Sequence, residues 1–181
     1  MRTFSLLAAS ALVLVTAACD SPEAAPQPAS KADGDTCFQR RNWSCATQNY
    51  VGYLKAYPND PATNAKAGIA MTYAGQHREA LPYYKRAEDL GVITYDMYAN
   101  YALSLDASGD LDGAISANEK ALELVPSLVD VRGSLAAQLV RKGKTAEAIK
   151  LLEDFDAHLK RNGEQPYFKA QIASIKEKAA G

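Results

Sequence analysis

Residues 95–128 read YDMYANYALSLDASGDLDGAISANEKALELVPSL. A small residue, Ala102, precedes Gly109, and Ala114 follows it after four intervening residues. The pair Gly109/Ala114 recurs at the same phase 34 residues upstream, as Gly75/Ala80, and 34 residues downstream, as Gly143/Ala148. Self-similarity at that period is the mark of a stacked array of helical hairpins, each burying its apolar face against its neighbours. Open arrays of this kind serve mainly as binding surfaces.

Working outward, the chain divides from Pro61 into blocks 61–94, 95–128 and 129–162. The eighth position of each holds Gly68, Ala102 or Ala136, on a predicted first helix. The fifteenth is always glycine, which suits a tight turn that needs a left-handed backbone. The twentieth is always alanine, on a predicted second helix. Small residues on facing helices let two antiparallel backbones approach closely. Position twenty-four holds Tyr84, Asn118 and Leu152, position twenty-seven Ala87, Ala121 and Phe155, and position thirty-two Val92, Pro126 and Lys160.

This pattern resembles the tetratricopeptide repeat, a family known by the same small residues with a large residue at position twenty-four and proline at thirty-two. The resemblance covers about residues 36–180, is strongest in 95–128, and weakens at Phe155 and Lys160, where the last hairpin is expected to end irregularly. It implies an all-α, right-handed superhelical solenoid of about three full hairpins plus flanking half-repeats.

The local signals share that register. Asp60-Pro61 places an N-cap residue before a proline at the first helical position. Thr94 and Ser127 hold the corresponding boundaries, and Ser127 with Asp130 forms a variant capping box. Pro82 falls inside a second helix, where it removes a donor and invites a kink unless that helix starts late. Upstream, 36–60 reads as a partial repeat: a helix over Trp43–Tyr57, preceded by only about a turn around Thr36–Arg40. Downstream, 163–181 is expected to hold a capping helix over Gln165–Ala179, with Phe168, Ile172 and Ile175 on one face.

Residues 1–18 read as an export leader, with Arg2 before an uncharged stretch from Phe4 to Ala18. That run is shorter than the ~20 apolar residues of a membrane-spanning helix. The sequence Val15-Thr16-Ala17-Ala18-Cys19 resembles the lipobox of bacterial lipoproteins, which implies lipidation of Cys19; cleavage of an ordinary signal peptide is the alternative. Residues 19–35, with Pro22, Pro26 and Pro28, read as an extended tether. The implied location is the bacterial cell envelope, on its periplasmic side, lipid-anchored in the inner or outer membrane. In an exported chain, Cys37 and Cys45 are expected to pair as a disulfide, with two free thiols as the alternative.

Net charge is -1, and with no Lys/Arg cluster nothing points to nucleic acid. His77 and His158 lie in different hairpins, and no phosphate loop, metalloprotease helix or nucleophile elbow occurs. Neither catalysis, a metal nor a cofactor is expected. In the tetratricopeptide family the first helix of each hairpin lines a concave groove. Carried over position by position, that implies partner binding by Lys66, Ile69, Tyr73, Asp96, Asn100, Leu103, Asp106, Asp130 and Arg141. The carboxylate-clamp subtype is absent: the five clamp positions hold Ala65, Ile69, Asn100, Asp130 and Ser134, of which only Asn100 agrees.

The expected partner is an extended or helical protein segment of an envelope component. By analogy with similar lipoproteins, the first setting is pilus or secretin assembly. The others are peptidoglycan enzymes, outer-membrane protein assembly, or a structural homodimer.

Overall fold

Ala80, Ala114 and Ala148 are fully buried, and so is Ala46, which stands 34 residues before the first of them. The structure, a computed structural model, describes residues 29–180. These form α1 (Lys31–Gln39), α2 (Trp43–Ala56), α3 (Pro61–Tyr73), α4 (His77–Asp89), α5 (Tyr95–Ser108), α6 (Leu111–Leu124), α7 (Val129–Arg141), α8 (Thr145–Arg161) and α9 (Lys169–Ala180). Each helix packs on the next along the chain, and α3 also packs on α5. The result is an all-α solenoid in which every hairpin leans on its neighbours. One apolar cluster joins α3 to α6, and another joins α7 and α8 to Phe168 and Ile175 at the C-terminal end.

The first hairpin is more complete than the sequence suggested. Helix α1 begins at Lys31, so the last five residues of the stretch read as tether, 31–35, are helical. Ser30 caps it, its hydroxyl accepting from the Asp33 amide at 3.0 Å. Gly34 and Tyr50 occupy positions eight and twenty-four, as Gly68 and Tyr84 do one repeat later. Position fifteen is Arg41, the one non-glycine residue with positive φ among the described residues, at 55°. Its turn is built like the others. Asn42 N–H bonds the Cys37 carbonyl at 2.9 Å, just as Gln76, Asp110 and Lys144 bond Met71, Leu105 and Leu139. The partial repeat over 36–60 is therefore a fourth hairpin with a short first helix. The disulfide between Cys37 and Cys45 straddles its turn, with the Cα atoms 5.7 Å apart.

Other local expectations meet mixed outcomes. The capping box at Ser127 does not form: the N-cap of α7 is Leu128, with no side-chain bond. Pro82 does lie inside the second helix, α4, which starts at His77 and not late. The proline lies on the exposed side, where water can serve the carbonyl left without a donor. Helix α8 does not end irregularly at Lys160; at 17 residues it is the longest of the described helices. With no proline at position thirty-two it continues to Arg161, and just beyond it the left-handed Gly163 lets Glu164 N–H close on the Leu159 carbonyl at 2.9 Å. The capping helix starts later than expected, at Lys169, because residues 165–168 are spent docking onto α8.

The leader and the lipidation expected at Cys19 lie outside the described residues, as does 19–28 of the tether.

Candidate partner-binding groove

The first helices α3, α5 and α7 carry all nine residues assigned to the groove, and they place seven of them in two hollows that meet at α5. The first hollow, of about 570 Å³, takes in Ile69, Tyr73, Asp96 and Asn100. The second, of about 290 Å³, takes in Leu103, Asp106 and Asp130. Helix α5 contributes to both because Asp96, Asn100 and Leu103 recur at helical spacing along one face.

In the first hollow, Ile69 is the floor, only 7% exposed, whereas Tyr73 stands out at 55%. The Tyr73 ring stacks on Trp43, with centroids 4.6 Å apart and planes 18° off parallel. Phe38 meets Trp43 edge-on at 5.4 Å. Opposite this aromatic wall, Asn100 Nδ2 donates to the Asp96 carbonyl at 2.8 Å, which leaves its own carbonyl free to accept. Arg41 enters the same hollow from the first hairpin's turn.

The second hollow is walled by Ala99, Leu103 and Val131, with Leu103 half-exposed. Beneath them runs a polar chain. Asn118 Nδ2 donates to Gln138 Oε1 at 2.9 Å, and Gln138 Nε2 donates to Asp106 Oδ2 at 3.3 Å. Arg141 closes the chain from outside, donating to the other Asp106 oxygen at 2.5 Å.

Lys66 and Arg141, the two remaining assignments, line neither hollow. Lys66 is ion-paired with Asp35 at 2.7 Å, a carboxylate that also accepts from the Tyr50 hydroxyl at 2.7 Å. Burial pushes the Asp35 carboxyl up, but those two donors outweigh it and hold its pKa below the usual carboxylate range. Both cations are thus ion-paired between the first helices of successive hairpins, Lys66 of α3 to α1 and Arg141 of α7 to α5.

Phe38, Arg41 and Trp43 lie outside the groove expected from sequence, where the first hairpin reads as a truncated cap. Asn118 and Gln138 lie outside it too, although Asn118 carries a signal: it stands where the neighbouring repeats hold Tyr84 and Leu152. The histidines stay apart. His77 Nδ1 lies 3.5 Å from Ser104 Oγ at the end of a buried hydroxyl chain through Thr72 and Tyr84, and His158 faces Asn162 on α8.

No family profile matches the chain. The small glutamine-rich tetratricopeptide repeat-containing protein 2 of Mycosarcoma maydis is 26% identical over 107 residues, 59% of this chain. The match spans only 30% of that protein's length. Among solved structures, MamA of Desulfovibrio magneticus RS-1 superposes with a TM-score of 0.63 at 22% identity, over 71% of this chain and 72% of its own. Another MamA structure gives 0.62 at 23% identity, over 67% of each chain. YrrB, described as a TPR protein with an unusual peptide-binding site, gives 0.61 at 17% identity, over 66% of this chain and 62% of its own. Helix order, turn geometry and these superpositions agree: the chain has the tetratricopeptide-repeat fold.

Proposed function

We propose that this protein is a docking scaffold that holds a protein segment along the α3–α5–α7 groove. The observation that carries the proposal is the pair of adjoining hollows, which set exposed Tyr73 and Leu103 beside the carboxylates of Asp96 and Asp130. Apolar side chains set beside polar groups suit an extended chain or one face of a helix. The peptide-binding site of YrrB, on the same fold, supports the reading by analogy. The lipobox-like sequence ending at Cys19 supports a tether to a bacterial membrane on its periplasmic side, with assembly of a pilus or secretin as the setting.

Crosslinking and pull-down from the native envelope test the groove. Tyr73→Ala with Asn100→Ala is expected to abolish capture while leaving the unfolding midpoint within a few degrees of wild type. Unchanged capture would move the site off the groove, and so would a stable dimer, seen by light scattering, that covers Tyr73. Cys19→Ser is expected to release the protein from the membrane fraction; persistent association would refute the anchor.

A further inference from the structure

Position twenty-four is filled by a large, fully buried side chain in three hairpins: Tyr50, Tyr84 and Leu152. In the remaining hairpin it is Asn118, and there the second hollow of the groove opens. Asn118 and Gln138 are 3% and 4% exposed, so the hollow's floor is a buried polar pair rather than apolar packing. The hydrogen bonds of that floor run one way, from Asn118 to Gln138 to Asp106. What the floor and rim offer a visitor is therefore mainly acceptors: the Asn118 carbonyl oxygen and the carboxylates of Asp106 and Asp130. Arg141 occupies one Asp106 oxygen from outside, whereas Asp130 has no ion-pair partner among the described residues. The walls above, Ala99, Leu103 and Val131, are apolar.

Apolar walls leading to acceptors and an unneutralised carboxylate match one kind of side chain, an aliphatic stem that ends in a cation. We propose that this hollow receives a single lysine or arginine of the docked segment, its methylenes against Leu103 and Val131 and its charge toward Asp130. The assignment rests on the groove being the docking surface. It also gives Asn118 a role: its side-chain carbonyl is an acceptor at the floor of the hollow that a leucine at this position, as at Leu152, would not supply.

A random peptide library displayed on phage, selected on the full chain, separates the two claims. Groove binders are those lost on the Tyr73→Ala, Asn100→Ala variant. Among them, a lysine or arginine at one fixed position is expected, and replacing it with glutamine should weaken binding to wild type about ten-fold, a loss of roughly 1.4 kcal/mol. Against Asp130→Asn the same replacement should change little, because the charge has lost its partner. Asn118→Leu strands the buried Gln138 Oε1 and should lower the unfolding midpoint somewhat; at a temperature where the variant is folded it should still weaken the basic peptides about ten-fold. Two results would overturn the inference yet leave the groove reading intact. One is groove binders with no fixed basic residue; the other is a basic residue whose loss costs as much against Asp130→Asn as against wild type. Finding no groove-dependent peptide would overturn both.

Discussion

A β-carbon on Gly68 would stand 2.8 Å from Cε1 of Tyr84, so glycine and ring are a matched pair across α3 and α4. The same pairing recurs at Gly34 and Tyr50, where the distance is 2.6 Å. The two hairpins with Asn118 or Leu152 in place of the ring carry Ala102 and Ala136 instead. Tyr84 has little room to retreat, since its hydroxyl is bonded to Thr72 at 2.6 Å and its ring stacks on Tyr101 at 5.1 Å.

Gly68→Ala is therefore expected to destabilise the protein. Overpacking costs about 1–3 kcal/mol, against a gain of about 1 kcal/mol in helix propensity, and the pinned ring puts the cost at the upper end. The net loss should be about 1–2 kcal/mol in urea denaturation. Adding Tyr84→Leu, which recreates the Ala136/Leu152 pairing of α7 and α8, should cost much less than the sum of the single changes. A Gly68→Ala protein more stable than wild type would refute the pairing.

Arg41 holds a left-handed conformation that costs a non-glycine residue about 1–2 kcal/mol. Gly75, Gly109 and Gly143 fill the equivalent turns. Arg41→Gly should raise stability by about 0.5–1 kcal/mol, the relief being partly offset by the extra freedom of glycine in the unfolded chain. Differential scanning calorimetry with the disulfide intact measures this, and an unchanged or lower midpoint would show that the turn carries no strain.

Arg41 also explains how far the sequence could be read. The hairpins from Pro61 onward were legible because glycine marks each turn and alanine each helix contact, and both are dictated by backbone geometry. The first hairpin was hidden because arginine holds the glycine position and because Phe38 is the one large apolar residue of α1, whose other ties include the disulfide and two ion pairs. Lys31 pairs with Asp60 and Asp35 with Lys66, residues about thirty apart in the chain. A helix with one large apolar residue shows no apolar stripe. That α3, α5 and α7 would carry the candidate groove residues was legible from the repeat register. Which of its charges are free did not, because Asp106–Arg141 and Asp35–Lys66 form between hairpins.

The Lys31–Asp60 pair predicts a pH dependence. Burial alone would push the Asp60 carboxyl up, but the Lys31 ammonium at 2.8 Å and the Thr63 amide outweigh it and hold its pKa at about 2. The folded value lies below the unfolded one, about 3.9. The stabilisation is therefore fully present above about pH 5 and is lost as pH falls toward 2. Solvent reaches both partners, so the loss should be about 1–2 kcal/mol rather than the full equivalent of the shift. Asp60→Asn keeps an N-cap oxygen for Thr63 and removes the ion pair. Its denaturation midpoint should vary less between pH 5 and pH 3 than that of wild type, and equal slopes would assign the acid sensitivity elsewhere.

At the other end of the solenoid, Asp156 ties α9 to α8. Its carboxylate is 8% exposed and accepts from the Tyr167 amide at 2.8 Å and the Phe168 amide at 2.9 Å, at the start of the last helix. A carboxylate there satisfies donors that helix geometry leaves open and sits favourably in the helix dipole. Asp156→Ala would strand both amides beside buried Phe168, at a cost of about 2–3 kcal/mol. In a solenoid each element leans on its neighbour, so the damage should stay at that end. Hydrogen exchange should speed about thirty-fold or more in α9, while the buried amides of α3 to α6 keep their protection. Asp156→Asn, which keeps one acceptor and loses the charge, should fall between the two. If α9 exchanged in Asp156→Ala as it does in wild type, the apolar contacts of Phe168 and Ile175 alone would hold the cap, and the carboxylate would have no structural role.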